Sequence, residues 1–138
     1  MGIYKRSKNT DKPLICQILD FIPPDIISSS VKIYSSDKGC SKYKTKDQLV
    51  AQTFGQLNDC DSLGSISQGI GVNEQFIRSL GLTQSPAKST MSDGNKNRDY
   101  KVFAMIYSKL ISKYKVLLNL PSELFSEEKL AKDYLIKK

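Results

Sequence analysis

Between residues 88 and 101 stand eight closely spaced basic, amide and hydroxyl side chains that could serve DNA: Lys88, Ser89, Thr90, Asn95, Lys96, Asn97, Arg98 and Lys101. These side-chain types can read nucleic acid. Arginine and lysine donate to guanine or to phosphate. Asparagine matches the adenine edge with one acceptor and one donor, and hydroxyls at a helix start suit phosphate oxygens. The same types also make an ordinary solvated helix start and turn. In that alternative Ser89 or Thr90 is an N-cap, Asn95 and Asn97 form a turn, and the lysines cover the surface. Arg98 has a third option, pairing with Asp93 or Asp99 to brace the junction that follows.

Other chemistry is poorly supplied. The 138 residues contain no histidine, which removes Ser–His and Cys–His nucleophilic pairs. The acid pairs Asp59/Asp61 and Glu127/Glu128 sit beside predicted helix starts, where the macrodipole stabilises carboxylates without any catalytic role. Gly69-Ile70-Gly71 lacks the strand before it and the Gly-Lys-Ser/Thr after it that a phosphate loop needs. Cys16, Cys40 and Cys60 lack ligand spacing, so neither a metal nor a cofactor is expected. Cys16 is expected in the core, with Cys40 and Cys60 as bystanders. Their odd, sparse number fits a reducing compartment. The expected location is therefore the cytoplasm. No apolar run approaches membrane-spanning length, and no apolar segment follows the basic N-terminus as it would in a signal peptide.

Charge supports a polyanionic partner. Lys and Arg outnumber Asp and Glu by 21 to 14, a net +7. The excess is local. Residues 84–115 hold seven basic side chains against Asp93 and Asp99, net +5, whereas residues 45–83 hold Lys46 and Arg78 against four acids, net −2. A basic segment beside an acidic one marks a binding face more strongly than total charge does.

The elements that must position these residues read as helices. Leu14, Ile15, Ile18, Leu19 and Ile22 repeat with helical period and end at Pro23-Pro24. A second helix is predicted over 25–35, with Ile26, Ile27, Val31 and Tyr34 inward. After a loop over 36–44, Thr45-x-x-Gln48 reads as a capping box. It opens a helix with Leu49, Val50, Phe54 and Leu57 on one face. Asp61 or Ser62 is placed to cap a short helix over 63–68, and another helical turn follows around 74–80. A polar helix over 89–96 then leads into a long amphipathic one over 100–114, begun by Asp99, burying Phe103, Tyr107, Leu110 and Ile111. A last helix is predicted over 127–135. Strand-like alternation is nowhere sustained. The expectation is an all-α domain over 13–115 with a helix-turn-helix-like DNA-binding unit, between a disordered basic arm (1–12) and a C-terminal helical tail (116–138).

Several of these segments fall in a familiar order. Ser89-Thr90, Asn95, Arg98-Asp99 and Phe103 follow the pattern R-S-T-L-x-x-A-N-x-x-R-x-x-x-I/V-F. Thr45 to Leu57 resembles W-x-Q-L-L-x-M-x-F-x-Q-L, Asp61 to Ile66 resembles R-D/E-S-L-R-D-I/L, and Leu80-Gly81-Leu82 resembles H-L-G-L. Together with Ile18 to Pro23 they resemble the N-terminal domain of bacterial insertion-sequence transposases of the DDE type, in the insertion-sequence-four superfamily. The likeness spans residues 12–114. Gly64 and Gly94 depart from the family's Arg and Ala.

The resemblance implies binding of double-stranded DNA at terminal inverted repeats, with transposase subunits as further partners. It also implies a catalytic core after Tyr114. There Asp133 is not followed by Ser-Thr, so no catalytic residue is assigned and no enzymatic activity is expected of this chain. Two other readings use the same helices: a subunit-assembly module, or a stand-alone helix-turn-helix regulator.

Overall fold

A computed structural model describes residues 12–118; the predicted basic arm and the predicted helix over 127–135 lie outside the described residues. Seven helices and no strand occur among them, so the chain is all-α. They are α1 (Leu14–Leu19), α2 (Pro24–Tyr34), α3 (Thr45–Leu57), α4 (Leu63–Ile70), α5 (Glu74–Ser79), α6 (Lys88–Asn97) and α7 (Lys101–Leu118). None of these helices is long and apolar enough to cross a membrane. The described residues divide into two compact units, one of residues 12–23 with 37–98 and one of 24–36 with 99–118.

In the first unit α3 is the central element, packed by α1 and α4, with α6 on α4. Its core gathers Ile15 and Cys16 from α1, Val50, Ala51 and Phe54 from α3, Ile66 and Ile70 from α4, and Met91 from α6. Leu80 and Leu82 join them from the turn after α5. The α3 face is thus Val50, Ala51 and Phe54. Leu57, expected inward, is the last residue of α3 and is 46% exposed.

Polar side chains cap the starts of α4 and α5, the first at one of the two positions expected. The Ser62 hydroxyl accepts from the Ser65 N–H at 3.1 Å, and the Asn73 carboxamide from the Phe76 N–H at 2.7 Å. α5 closes in a Schellman arrangement. Leu82 N–H reaches the Ile77 carbonyl and Gly81 N–H the Arg78 carbonyl, with Gly81 at φ +77°. A left-handed residue there is inexpensive only for glycine.

The start of α3 differs from expectation. Its N-cap is Lys44, and the Asp47 carboxylate accepts the Lys44 N–H at 3.0 Å. Thr45 is already helical. It turns both its N–H and its hydroxyl to Asp37 Oδ1, at 2.6 and 2.7 Å. Gln48 is not a capping residue but is buried.

The second unit pairs α2 with α7. Its buried positions are Ile26 and Ser30 on α2 and Val102 and Ile106 on α7. Each pair is spaced i, i+4 and so shares a face. Ser30 is buried without penalty because its hydroxyl donates to the Ile26 carbonyl at 2.8 Å. The α7 stripe is therefore rotated by one residue from the expected Phe103/Tyr107 line. Phe103, Leu110 and Ile111 are half-buried and Tyr107 is 48% exposed. Asp99 does begin this helix, its carboxylate accepting the Lys101 N–H at 3.0 Å.

Candidate nucleic-acid interface

α6 is a polar helix held by one apolar residue. Met91 is fully buried, while Lys88, Ser89, Asp93, Asn95, Lys96 and Asn97 are exposed and Thr90 is half-buried. The helix begins one residue earlier than expected. Ala87 is its N-cap and no side chain caps it, so Ser89 and Thr90 lie within the first turn instead of capping it. The amides of that turn point outward along the helix axis, the arrangement that favours an anion. The connection from α5 occupies residues 80–87. It is longer than the ~3–4-residue turn of a tight helix-turn-helix.

Arg98 departs from the expected DNA-reading set. Its side chain is 4% exposed and turned inward. The guanidinium donates to Gln48 Oε1, to the Tyr43 carbonyl at 2.6 Å and to Cys40 Sγ at 3.3 Å. It stands 3.8 Å from Asp37 Oδ1 and lies over the Tyr43 ring, 5.7 Å from its centre. A buried cation costs several kcal/mol of desolvation unless its donors are met; here carbonyl, amide, carboxylate and ring share it. Neither Asp93 nor Asp99 is the bracing partner. Cys40 is correspondingly no bystander.

This arrangement fixes Asn95 as well. Arginine can only donate, so Gln48 must present its oxygen to Arg98 and its amide nitrogen to the other side. That nitrogen donates to Asn95 Oδ1 at 3.0 Å, and Gln52 Nε2 donates to the same oxygen at 3.1 Å. The Asn95 oxygen is thus engaged within the protein. Reading adenine with acceptor and donor together, as the residue type suggests, would require breaking both bonds. What Asn95 turns outward is its NH2.

Gly94 completes the contact. A Cβ there would stand 2.8 Å from Tyr43 Cε2 and 3.3 Å from Gln48 Oε1. The helix can approach the tyrosine ring this closely only without a side chain at 94. The ring is buried enough that its hydroxyl has no hydrogen-bond partner among the described residues. Burial pushes its pKa up to about 12, against a smaller opposing pull from Arg98.

The expected site residues are therefore brought together only in part. Lys88, Ser89, Asn95, Lys96 and Asn97 share an exposed helix, and Arg98 braces it from behind. Lys101 is exposed but begins α7 in the second unit.

A family model described as a domain of unknown function, DUF4372, matches residues 10–83, more than half the chain. The chain belongs to the DUF4372 family. No curated protein and no solved structure matches it. The DUF4372 segment holds the anchors Asp37, Tyr43, Thr45 and Gln48 and ends before α6. The helix carrying most of the expected site residues lies beyond the matched segment, yet is bonded to it through Arg98 and Asn95.

The anchors are what sequence reading missed. Two weak signals pointed to them. Asp37-Lys38-Gly39 is a turn sequence, and Gly94 is a helix-weakening residue inside a helix, which asks for a close contact.

Proposed function

We propose that this chain is a DNA-binding domain of transposase type, binding duplex DNA at element ends and contributing no catalytic residues of its own. The observation that carries the reading is α6: a ten-residue helix anchored by Met91 and Arg98, exposing Lys88, Ser89, Lys96 and Asn97 with uncapped N-terminal amides. The joint order of transposase-like segments over residues 12–114 and the net +5 of residues 84–115 support the same partner.

With Arg98 buried and the Asn95 oxygen engaged, α6 is equipped for phosphate more than for base edges. Binding is accordingly driven by salt-sensitive backbone contacts. Lys88→Ala and Lys96→Ala should each flatten the slope of log K against log salt by about 0.9. Lys101, in the other unit, is tested by its own alanine variant. If Lys88→Ala and Lys96→Ala bind duplex with the parent's affinity and slope, α6 is not the DNA face.

A second reading, subunit assembly, is favoured by one observation. Tyr107, Val116 and Leu117 stand exposed on α7. Sedimentation that gives a monomer at all concentrations counts against it.

A further inference from the structure

We propose, resting on the DNA-binding reading above, that residues 37–46 form a second DNA-contacting element, a lysine-bearing loop that follows the phosphate backbone beside α6. The segment alternates in role. Asp37, Tyr43 and Thr45 turn inward, and each is bonded or packed in place. Thr45 holds Asp37, Arg98 holds the Tyr43 carbonyl and ring, and Arg98 faces Asp37. Between these anchors Lys38, Lys42 and Lys44 are exposed, and so is Lys46, just after Thr45 in the first turn of α3.

The loop's bend is set as well. Cys40 N–H bonds to the Asp37 carbonyl at 3.0 Å, and Gly39 sits at φ +76°. That is the geometry of a type II turn, with Lys38 at its outer corner. None of the four lysines has a carboxylate partner among the described residues. The nearby acids are otherwise occupied: Asp37 faces Thr45 and Arg98, and Asp47 takes the Lys44 N–H. Asp93 on α6 is the one exposed carboxylate on the adjoining helix.

The loop is fixed to α6 by bonds, not by proximity alone. The Arg98 and Gln48 links place Lys42 and Lys44, which flank Tyr43, against the end of α6 that carries Lys96. Lys46 Nζ lies 3.9 Å from the Cβ position of Gly81, in the chain leading to α6. A solvated charge run needs no such scaffold. A backbone held in this way fixes the points from which the lysines reach out, so that only side-chain freedom is lost when they meet phosphates.

The two elements predict different salt dependences. Lys88 and Lys96 alone give a slope of log K against log salt of about −1.8; adding Lys38, Lys42, Lys44 and Lys46 takes it to about −5.4. The test is fluorescence anisotropy on a labelled random-sequence duplex over a salt series. It compares the parent, the Lys38→Ala/Lys42→Ala/Lys44→Ala variant and the Lys88→Ala/Lys96→Ala variant. Circular dichroism establishes that each variant is folded, as expected for changes at exposed side chains.

The loop variant should flatten the slope by about 2.7 and weaken binding on the order of 10²–10³-fold at 0.1 M salt. A loop variant with the parent's slope, while the α6 variant still loses binding, overturns this inference and leaves the α6 reading standing. No duplex binding by the parent overturns both. Single-stranded RNA that competes as well as duplex reassigns the surface to RNA and also overturns the proposal.

Discussion

Replacing Arg98 by alanine separates a structural brace from a DNA-reading side chain. The guanidinium it removes is 4% exposed and serves Gln48 Oε1 and the Tyr43 carbonyl. Each buried acceptor left without a donor costs about 1–3 kcal/mol. Truncating one member of a buried ion pair costs about 3–5 kcal/mol. Asp37 is 26% exposed, so water can take over part of its solvation. The loss should therefore fall near the lower bound, about 3 kcal/mol, or roughly 10 °C in Tm for a chain of this size. Urea unfolding followed by far-ultraviolet circular dichroism reads it as a lower midpoint at unchanged slope. Arg98→Lys should recover only part, because a single ammonium cannot span two acceptors in fixed directions. Lys96→Ala, two residues away and exposed, should stay within about 0.5 kcal/mol of the parent. An Arg98→Ala protein as stable as Lys96→Ala would refute the bracing role.

Three further outcomes follow from the same geometry. Gly94→Ala should destabilise despite the ~1 kcal/mol that alanine gains in helix propensity, because its methyl meets the Tyr43 ring and overpacking costs about 1–3 kcal/mol; a higher melting temperature would contradict that contact. Tyr43 should ionise only near pH 12. Because its folded pKa lies above the unfolded value of about 10, its contribution to stability is complete below pH ~10 and is lost as pH rises towards 12. Spectrophotometric titration of the parent beside Tyr43→Phe checks this, and the late step should vanish in the variant. Chelator treatment should leave helical circular dichroism and melting temperature unchanged, since the described residues hold no cluster of three potential ligands; loss of fold would show a structural metal.

Helix positions were legible because they depend on local signals. Pro23-Pro24, Ser62, Gly81 and Asp99 each act within a few residues, through a missing N–H, a capping oxygen or a left-handed turn. The face a helix buries was less legible. In α7, Val102/Ile106 and Phe103/Tyr107 are both apolar i, i+4 pairs, and periodicity cannot choose between them. α2 decides in favour of the smaller pair. Which of the candidate residues stand exposed was legible only in part, for a similar reason. Exposure of Lys88, Ser89 and Lys96 follows from a polar helix with one buried methionine. The inward turn of Arg98 follows from Asp37, Tyr43 and Gln48, which stand 50 or more residues earlier and carry no local signal of the contact.

The central claim is that α6 and the loop beside it meet duplex DNA. Amide chemical-shift mapping tests this most directly: a short random-sequence duplex is titrated into isotopically labelled protein. The account predicts shifts concentrated in residues 38–46 and 88–97, weakened by added salt, with α1 unmoved. No shifts on saturation with duplex, or shifts confined to the exposed residues of α7, would contradict it.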